Sequence, residues 1–262
     1  MGFCLVCVMS VAVWAQTGPS IDDLLRRTNE QSKQNEPKTR EYVYRERIVT
    51  DEFNEKGEFS NRHTETWEAI GLEGSEYRKL IQRDDMPLST KEQKKEDERL
   101  RKETEKRRKE KTLGIKNPLQ RTYSFGYSRG DERFFDFRYM GEELTGGRPA
   151  YVFEGTPKAH QRPTNNHEKQ LLLSRVKLWI DKEDTFVSSL EIEVLQEGAD
   201  MRPGTRLALT QQRMEDGTWL LQELRGRLVI KPLRVMNVRK DLVMTRSDYH
   251  KFSVDSRIID TQ

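Results

Sequence analysis

The sequence predicts a mainly β protein with a few helices, built around one antiparallel sheet. Three patterns indicate this fold class. From about residue 41 onward, apolar and polar side chains alternate with the period of a β-strand. Short polar turns separate these runs. The later runs follow one another without long helices between them, so we expect a meander of about nine to ten strands rather than a parallel sheet with crossover helices.

A short amphipathic helix is predicted before the first strand, over residues 21–33. Ser20 stands at the N-cap position, and Leu24 and Leu25 fall on one apolar stripe at helical spacing. The polar segment that follows contains Pro37 and is expected to be a linker that ends at about residue 40.

Aromatic and β-branched residues mark the strands of the first half of the sheet. Their alternation with polar residues is typical of half-buried strands. These strands are expected at residues 41–49, 63–70, 76–82, 132–140 and 149–155.

Two hairpins are the clearest feature of the C-terminal half. One turns through the charged segment from Asp181 to Asp184, and the other through Asp216-Gly217, a dipeptide that readily adopts the positive φ values of a tight turn. A further pair of strands is expected between residues 233 and 254. The strands of the two hairpins are expected at residues 171–180, 186–195, 205–214 and 218–230.

A charged insertion at residues 89–112 interrupts the β pattern. Ser89 and Glu92 have the spacing of a capping box, and Leu100 is the only large apolar residue before the end of the segment. Because a helix that is polar all round has no face to bury, we expect it to project from the body as a salt-bridged spacer or docking arm. Contact with a membrane or a nucleic acid is the alternative, although the segment lacks interleaved aromatic residues.

The N-terminal segment indicates export. The apolar run that ends at Ala15 is shorter than the roughly 20 residues that a spanning helix needs. Val13 and Ala15 suit the −3 and −1 positions of a cleavage site, so we expect a signal peptide at residues 1–15 and a periplasmic protein. Cys4 and Cys7 both lie in this segment. The exported chain would therefore have no cysteine for a disulfide, a nucleophile or a zinc site.

Composition and motif spacing disfavour several classes of function. Charged residues make up 35% of the chain, yet the net charge is only +3, which argues against nucleic-acid binding through bulk positive charge. The nucleophile elbow, the P-loop and the dinucleotide-binding glycine pattern do not occur. The sequence has four histidines whose spacing is not that of metal ligands: His63, His160, His167 and His250. Together with the missing motifs, this spacing leads us to expect no catalytic residue, metal or cofactor.

Three strings of residues together resemble a known family. They are Gly141-Glu142-Glu143-Leu144 leading to Gly147-Arg148-Pro149-Ala150-Tyr151-Val152-Phe153, then Leu178-Trp179-Ile180-Asp181 followed by Val187-Ser188-Ser189-Leu190-Glu191, and finally Tyr249-x-x-Phe252-x-Val254-Asp255-Ser256. In an exported all-β chain this combination resembles the outer-membrane lipoprotein-sorting family, the LolA/LolB-like half-barrels, over roughly residues 40–256. The resemblance implies an open antiparallel half-barrel at residues 41–262, wrapped around short helices, with an apolar concavity that holds acyl chains. The charged insertion departs from the family pattern.

Aromatic and aliphatic side chains would line that concavity. Each of them alone more often belongs to a filled core, so the prediction concerns the group. An acyl chain would gain roughly 0.8 kcal/mol for each methylene that it buries there. The candidate lining residues are Trp67, Phe137, Tyr151, Leu178, Ile180, Leu190 and Ile192.

These expectations lead to a periplasmic, non-enzymatic carrier or sensor that binds an acyl chain, a lipoprotein or another apolar ligand. The helix at residues 21–33 would move as a lid. The alternative is a structural or protein-interaction module of the cell envelope, in which the barrel is filled. The expected partners are a lipid, a lipoprotein or an envelope protein, with at most peripheral membrane contact and no nucleic acid. A hydrolase would require a buried carboxylate pair in a cleft, which no motif indicates.

Overall fold

One antiparallel sheet of eleven strands dominates the computed structural model, which describes residues 19–113, 130–198, 201–230 and 238–251. The strands are β1 (Tyr42–Phe53), β2 (Phe59–Leu72), β3 (Ser75–Arg83), β4 (Met86–Pro87), β5 (Phe135–Thr145), β6 (Arg148–Pro157), β7 (Ser174–Asp181), β8 (Val187–Val194), β9 (Arg206–Arg213), β10 (Trp219–Ile230) and β11 (Val238–Lys251). The helices are α1 (Ile21–Thr39), α2 (Thr90–Thr112) and α3 (Asn166–Leu171), with a 3-10 turn at Asp131–Phe134.

The strand order confirms the predicted open half-barrel. The order is β4-β3-β2-β1-β11-β10-β9-β8-β7-β6-β5, so β4 and β5 are the two ends of a sheet that does not close. Strands β5 to β11 follow one another as a meander, and β1 joins this meander by pairing with β11. The family resemblance did not specify this junction, which brings the first and last described strands together.

The differences from the predicted strands are local. Strand β4 has two residues, too few to produce an alternating pattern. A single described strand, β11, lies where a pair was expected, and part of that interval falls outside the described residues. The predicted strand 171–180 begins at Ser174, because α3 occupies the residues before it.

The two predicted turns are present. In the β9–β10 turn, Gly217 has a φ of +82°, and the Asp216 carboxylate accepts the N–H of Thr218 at 3.0 Å. In the β7–β8 turn, Asp181 is 1% exposed and accepts from the backbone N–H of Asp184 at 2.8 Å. Carboxylates that accept backbone N–H groups in this way fix a turn without any bound ion.

Helix α1 is longer than predicted, because a tertiary contact stabilises the polar segment that we expected to be a linker. The Asn35 side chain donates to the carbonyl of Trp219 and accepts from the N–H of Trp219, both at 2.8 Å. The helix therefore continues to Thr39, with Pro37 in its last turn. Ser20 precedes the helix as expected, but its side chain makes no capping hydrogen bond.

Helix α2 has the predicted capping box at Ser89, but it lies along the edge of the sheet instead of projecting. The Glu96 carboxylate accepts the backbone N–H of Leu80 in β3 at 3.3 Å. Arg99 donates to the Arg78 carbonyl, and Arg107 donates to the Glu76 carbonyl at 3.1 Å. These side chains satisfy edge-strand groups that a neighbouring strand would otherwise bond, so α2 protects the β3 edge. Sequence patterning missed this contact, because it is made by charged residues rather than by an apolar stripe.

The outer face of the sheet is a network of ion pairs. Across β5 to β9, Arg138 pairs with Glu154 at 3.1 Å, Arg175 with Glu193 at 2.5 Å, and Arg206 with Glu193 at 2.7 Å. Opposite charges on directly paired residues stabilise neighbouring strands. Much of the mixed-sign charge in the sequence is thus on this face, which also has a small apolar cluster of Ala150, Val152 and Trp179, and most of the apolar positions are on the other face.

The predicted signal segment, residues 1–15, lies outside the described residues. Within the described ranges, none of the helices is long and apolar enough to cross a bilayer.

Candidate functional site

The inner face of the sheet, defined as the face on which α1 packs, carries a continuous apolar row. In an antiparallel sheet, residues directly opposite each other on neighbouring strands point to the same side. The registers connect one such row through eight strands, from β5 to β11 and on to β1. The row consists of Tyr139, Phe153, Leu178, Leu190, Leu209, Leu224, Met244 and Ile48.

Helix α1 covers one half of this face. Leu24 and Leu25, which are 5% and 8% exposed, pack into a buried cluster formed mainly by β5 to β8. Leu178 and Ile180, at the centre of that cluster, are fully buried. Three of the nineteen residues of α1 are buried, the two leucines and Thr28, so the helix is attached along a narrow stripe.

The structure brings six of the seven predicted lining residues together. Four of them are buried members of the α1 cluster, and Phe137 and Tyr151 are partly buried against it. Trp67 lies on the inner face of β2, several strands away, where the guanidinium carbons of Arg78 and Arg99 are 5.0 Å and 5.5 Å from its ring centroid. The binding of a ligand between the six residues and α1 stays a prediction. The four buried members are Leu178, Ile180, Leu190 and Ile192.

The other half of the inner face contains an apolar strip that the sequence analysis missed. We call it the Gly226 groove, and it consists of Gly226 with the half-buried side chains of Leu207, Leu209, Leu242 and Ile48 around it. Gly226 lies between Leu207 and Leu242, and a β-carbon at this position would lie 3.0 Å from Leu207 Cδ2. A glycine inside a strand often marks a place where another group approaches the backbone closely, and this signal could have identified the groove.

A buried ion network limits the apolar face next to the groove. Glu46 in β1 is fully buried, accepts from Arg246 Nε at 2.8 Å, and is also paired with Arg78. Arg246 lies 4.2 Å from the ring centroid of Tyr44. Burial raises the pKa of Tyr249 to about 12, against the opposing effect of Arg246. Since Glu46 is held by two arginines, this end of the face has a structural role.

A polar cavity of about 240 Å³ lies beside the second half of α1. Gln31 and Asn35 line it from the helix, and Asp184, Arg213 and Trp219 line it from the sheet. Asp184 accepts from Arg213 at 2.6 Å and from the Trp219 indole N–H at 3.0 Å. This polar lining suits water better than an alkyl chain. The C-terminal half of α1 therefore rests on polar contacts, and its N-terminal half on apolar ones.

The described parts of the chain contain no group of three His, Cys, Asp or Glu side chains that could hold a metal ion. Two of the four histidines lie within hydrogen-bond distance of a polar side chain. His167 Nε2 lies 2.9 Å from the buried Asp131, and His63 lies 3.0 Å from the Asn61 side chain.

Comparison with known proteins gives structural likeness only. No protein-family model matches the sequence, and neither does any curated protein. A domain described as an outer membrane lipoprotein-sorting protein, from Vibrio parahaemolyticus, is 11% identical with a TM-score of 0.39, and the match covers 88% of this chain and 94% of that one. A DUF1329 family protein from Desulfovibrio piger is 13% identical with a TM-score of 0.39, covering 92% and 96%. A LolA superfamily protein from Nitrosomonas europaea is 9% identical with a TM-score of 0.33, covering 90% and 96%.

Two of these structures have names that match the family that the sequence resembles, one a lipoprotein-sorting domain and the other a LolA superfamily protein. At these identities and TM-scores, the likeness identifies neither a ligand nor a partner of this chain.

Proposed function

We propose that this protein is a non-enzymatic carrier or sensor of the bacterial cell envelope, exported to the periplasm, which binds an acyl chain of a lipid or lipoprotein, or a similar apolar ligand, on the inner face of its half-barrel. The apolar row across eight strands is the observation that carries the proposal. If α1 were the only element packed on the inner face, apolar side chains would be needed only beneath that helix. The row continues past α1 into the Gly226 groove, where Leu209 and Ile48 keep part of their surface exposed while Leu224 and Met244 are buried.

Helix α1 acts in this proposal as a lid. Its leucines occupy the place that a ligand would take among the predicted lining residues, and its narrow attachment allows it to leave while the sheet stays intact. A ligand would enter at the Gly226 groove and extend under α1 as the helix moves. Binding would follow from apolar burial and would involve no chemical step.

A second candidate is a structural or interaction module with a permanently filled half-barrel, whose partner would be an envelope protein. The complete burial of Leu178 and Ile180 beneath α1 favours it, because a core packed in this way needs no ligand. The two candidates differ in whether the Gly226 groove and the space under α1 accept a hydrocarbon chain.

Substitution of Gly226 by valine tests the carrier. The new side chain would fill the groove against Leu207 and displace about three methylenes of a bound chain, which corresponds to a loss of affinity of about 50-fold. The assay is titration with a fluorescent 18-carbon fatty acid. Ala208→Val is the matched control, since Ala208 lies on the adjacent strand and points to the outer face. Equal affinities of the wild type and Gly226→Val would contradict a chain in this groove.

Native mass spectrometry separates the two candidates. Protein purified from a membrane-containing host should carry a lipid-sized adduct if it is a carrier. A bare protein mass, together with no saturable binding of the fatty acid, would favour the structural module.

A further inference from the structure

The charged residues of helix α2 are unevenly distributed, with most bases exposed to solvent and most acids on the side that faces the sheet. Every Lys and Arg from Lys91 to Lys111 is exposed except Arg107. Four of the seven acids in the same segment are buried or half-buried: Glu92, Glu96, Glu103 and Glu110. The sequence shows eleven bases and seven acids and hence a modest excess of four positive charges. The fold therefore leaves ten bases and three acids exposed, and nine of these bases face solvent, since Arg99 is bonded to the backbone of β3.

The acids on the sheet side are largely engaged in holding the helix. Glu96 binds the backbone of β3 and the hydroxyl of Tyr77, and Glu92 pairs with Arg83 at 2.6 Å. Glu103 pairs with Arg107 at 2.7 Å. Glu96 also pairs with the exposed Arg99 at 2.6 Å and Glu110 with Lys106 at 3.9 Å, so these acids offset only part of the exposed positive charge.

The solvent-facing bases form what we call the basic ridge, the exposed lysines and arginines of α2. Lys94, Lys95 and Lys109 on this ridge make no ion pair with another described residue. A helix of 23 residues is about 34 Å long at 1.5 Å per residue, which gives the ridge the extent of a surface-docking element.

Exposed apolar side chains stand at both ends of the ridge. Met86 in β4, just before α2, is 66% exposed, and Leu113, which caps the C-terminal end of α2, is 73% exposed. A line of basic residues flanked by exposed apolar side chains is typical of surfaces that rest on a lipid interface. The ridge has no aromatic residue on which a nucleic-acid base could stack.

We propose that the basic ridge docks on an anionic membrane surface, with its lysines and arginines against lipid phosphate groups and with Met86 and Leu113 entering the interface. Charge complementarity selects this partner. The docked protein would present the β3 end of the half-barrel to the bilayer. This docking goes beyond the proposed ligand binding and does not depend on it, since no residue of the Gly226 groove belongs to α2.

Sedimentation with lipid vesicles tests the proposal on the full chain. Vesicles prepared from phosphatidylcholine with about 30% phosphatidylglycerol should bind the protein at low ionic strength, whereas vesicles of phosphatidylcholine alone should not. Raising the salt concentration should release the protein, because the contact is between exposed charges.

The decisive variant is Lys94→Gln/Lys95→Gln/Lys109→Gln. Each lysine near an anionic surface contributes about a fivefold change in affinity, so the triple variant should bind on the order of 100-fold more weakly. The matched control is Lys33→Gln/Lys56→Gln/Lys169→Gln, which removes the same charge from exposed lysines elsewhere. A normal melting temperature of both variants excludes misfolding as the cause.

Three results would overturn the proposal. They are equal binding to neutral and anionic vesicles, equal losses in the ridge and control variants, and binding to a single-stranded oligonucleotide that is tighter than binding to anionic vesicles. None of them involves the fatty-acid titration, so the membrane contact and the ligand site can fail separately.

Discussion

The lid function of α1 leads to a prediction about Leu24. Substitution of Leu24 by alanine removes a side chain that is 5% exposed and packs between the helix and the sheet. Leucine-to-alanine changes in packed cores cost about 2–5 kcal/mol, and the narrow attachment of α1 suggests the lower part of that range. If substitution weakens only the docking of α1 on the sheet, a cost of about 2–3 kcal/mol would raise the population of molecules with α1 undocked about 30- to 150-fold.

Hydrogen exchange measured by mass spectrometry can resolve this effect. Peptides from residues 21–39 should lose protection by that factor in Leu24→Ala, and peptides from β7 should keep theirs. Val152→Ala is the matched control, because Val152 is fully buried on the opposite face of β6 and supports the sheet alone. It should lower the protection of helix and strands together. If Leu24→Ala lowers the protection of α1 and β7 by one common factor, α1 is a fixed part of the core and the lid hypothesis is wrong.

Three further predictions concern stability. Glu46→Ala leaves two arginines around a fully buried position without their carboxylate and should destabilise the fold by about 3–5 kcal/mol, measured by urea unfolding. Burial alone would raise the pKa of Asp181, but Arg148 and backbone N–H groups lower it below 3.8, so its contribution is present above about pH 4 and lost as the pH falls further. Melting temperatures across pH 2–6 should therefore show a smaller acid-dependent loss in Arg148→Ala than in the wild type, and parallel curves would contradict this. Gly155→Ala should cost about 1–3 kcal/mol, because the added β-carbon would lie 2.6 Å from a ring carbon of Phe137 and 2.7 Å from a methyl carbon of Val176. An unchanged melting temperature would show that both side chains can move aside.

The sequence predicted the features that depend on neighbours along the chain. Alternation identified most of the strands, and the turn at Gly217 followed from a dipeptide preference that is local. The capping box of α2 was visible from Ser89 and Glu92 for the same reason. The position of α2 was not visible, since its bonds to β3 use backbone groups that every sequence possesses.

The candidate site was predictable only in part. Leu178 and Leu190 face each other because their strands are joined by a short hairpin, so their grouping follows from local pattern. Trp67 lies far from them, because the position of β2 depends on the pairing of β1 with β11, which no local signal encodes. Gly226 was missed for a related reason, since its importance comes from its neighbours on two other strands.

The pairing of β1 with β11 has a consequence for how the chain acquires its structure. Glu46 and Arg246 are separated by 200 positions along the chain, yet their ion pair lies in the middle of the sheet. Contacts between such distant segments carry a large loop-closure cost and slow the folding reaction. Strand β11 must leave the ribosome before the two parts of the sheet can join. The nascent chain would thus remain without the β1–β11 pairing until β11 has been synthesised.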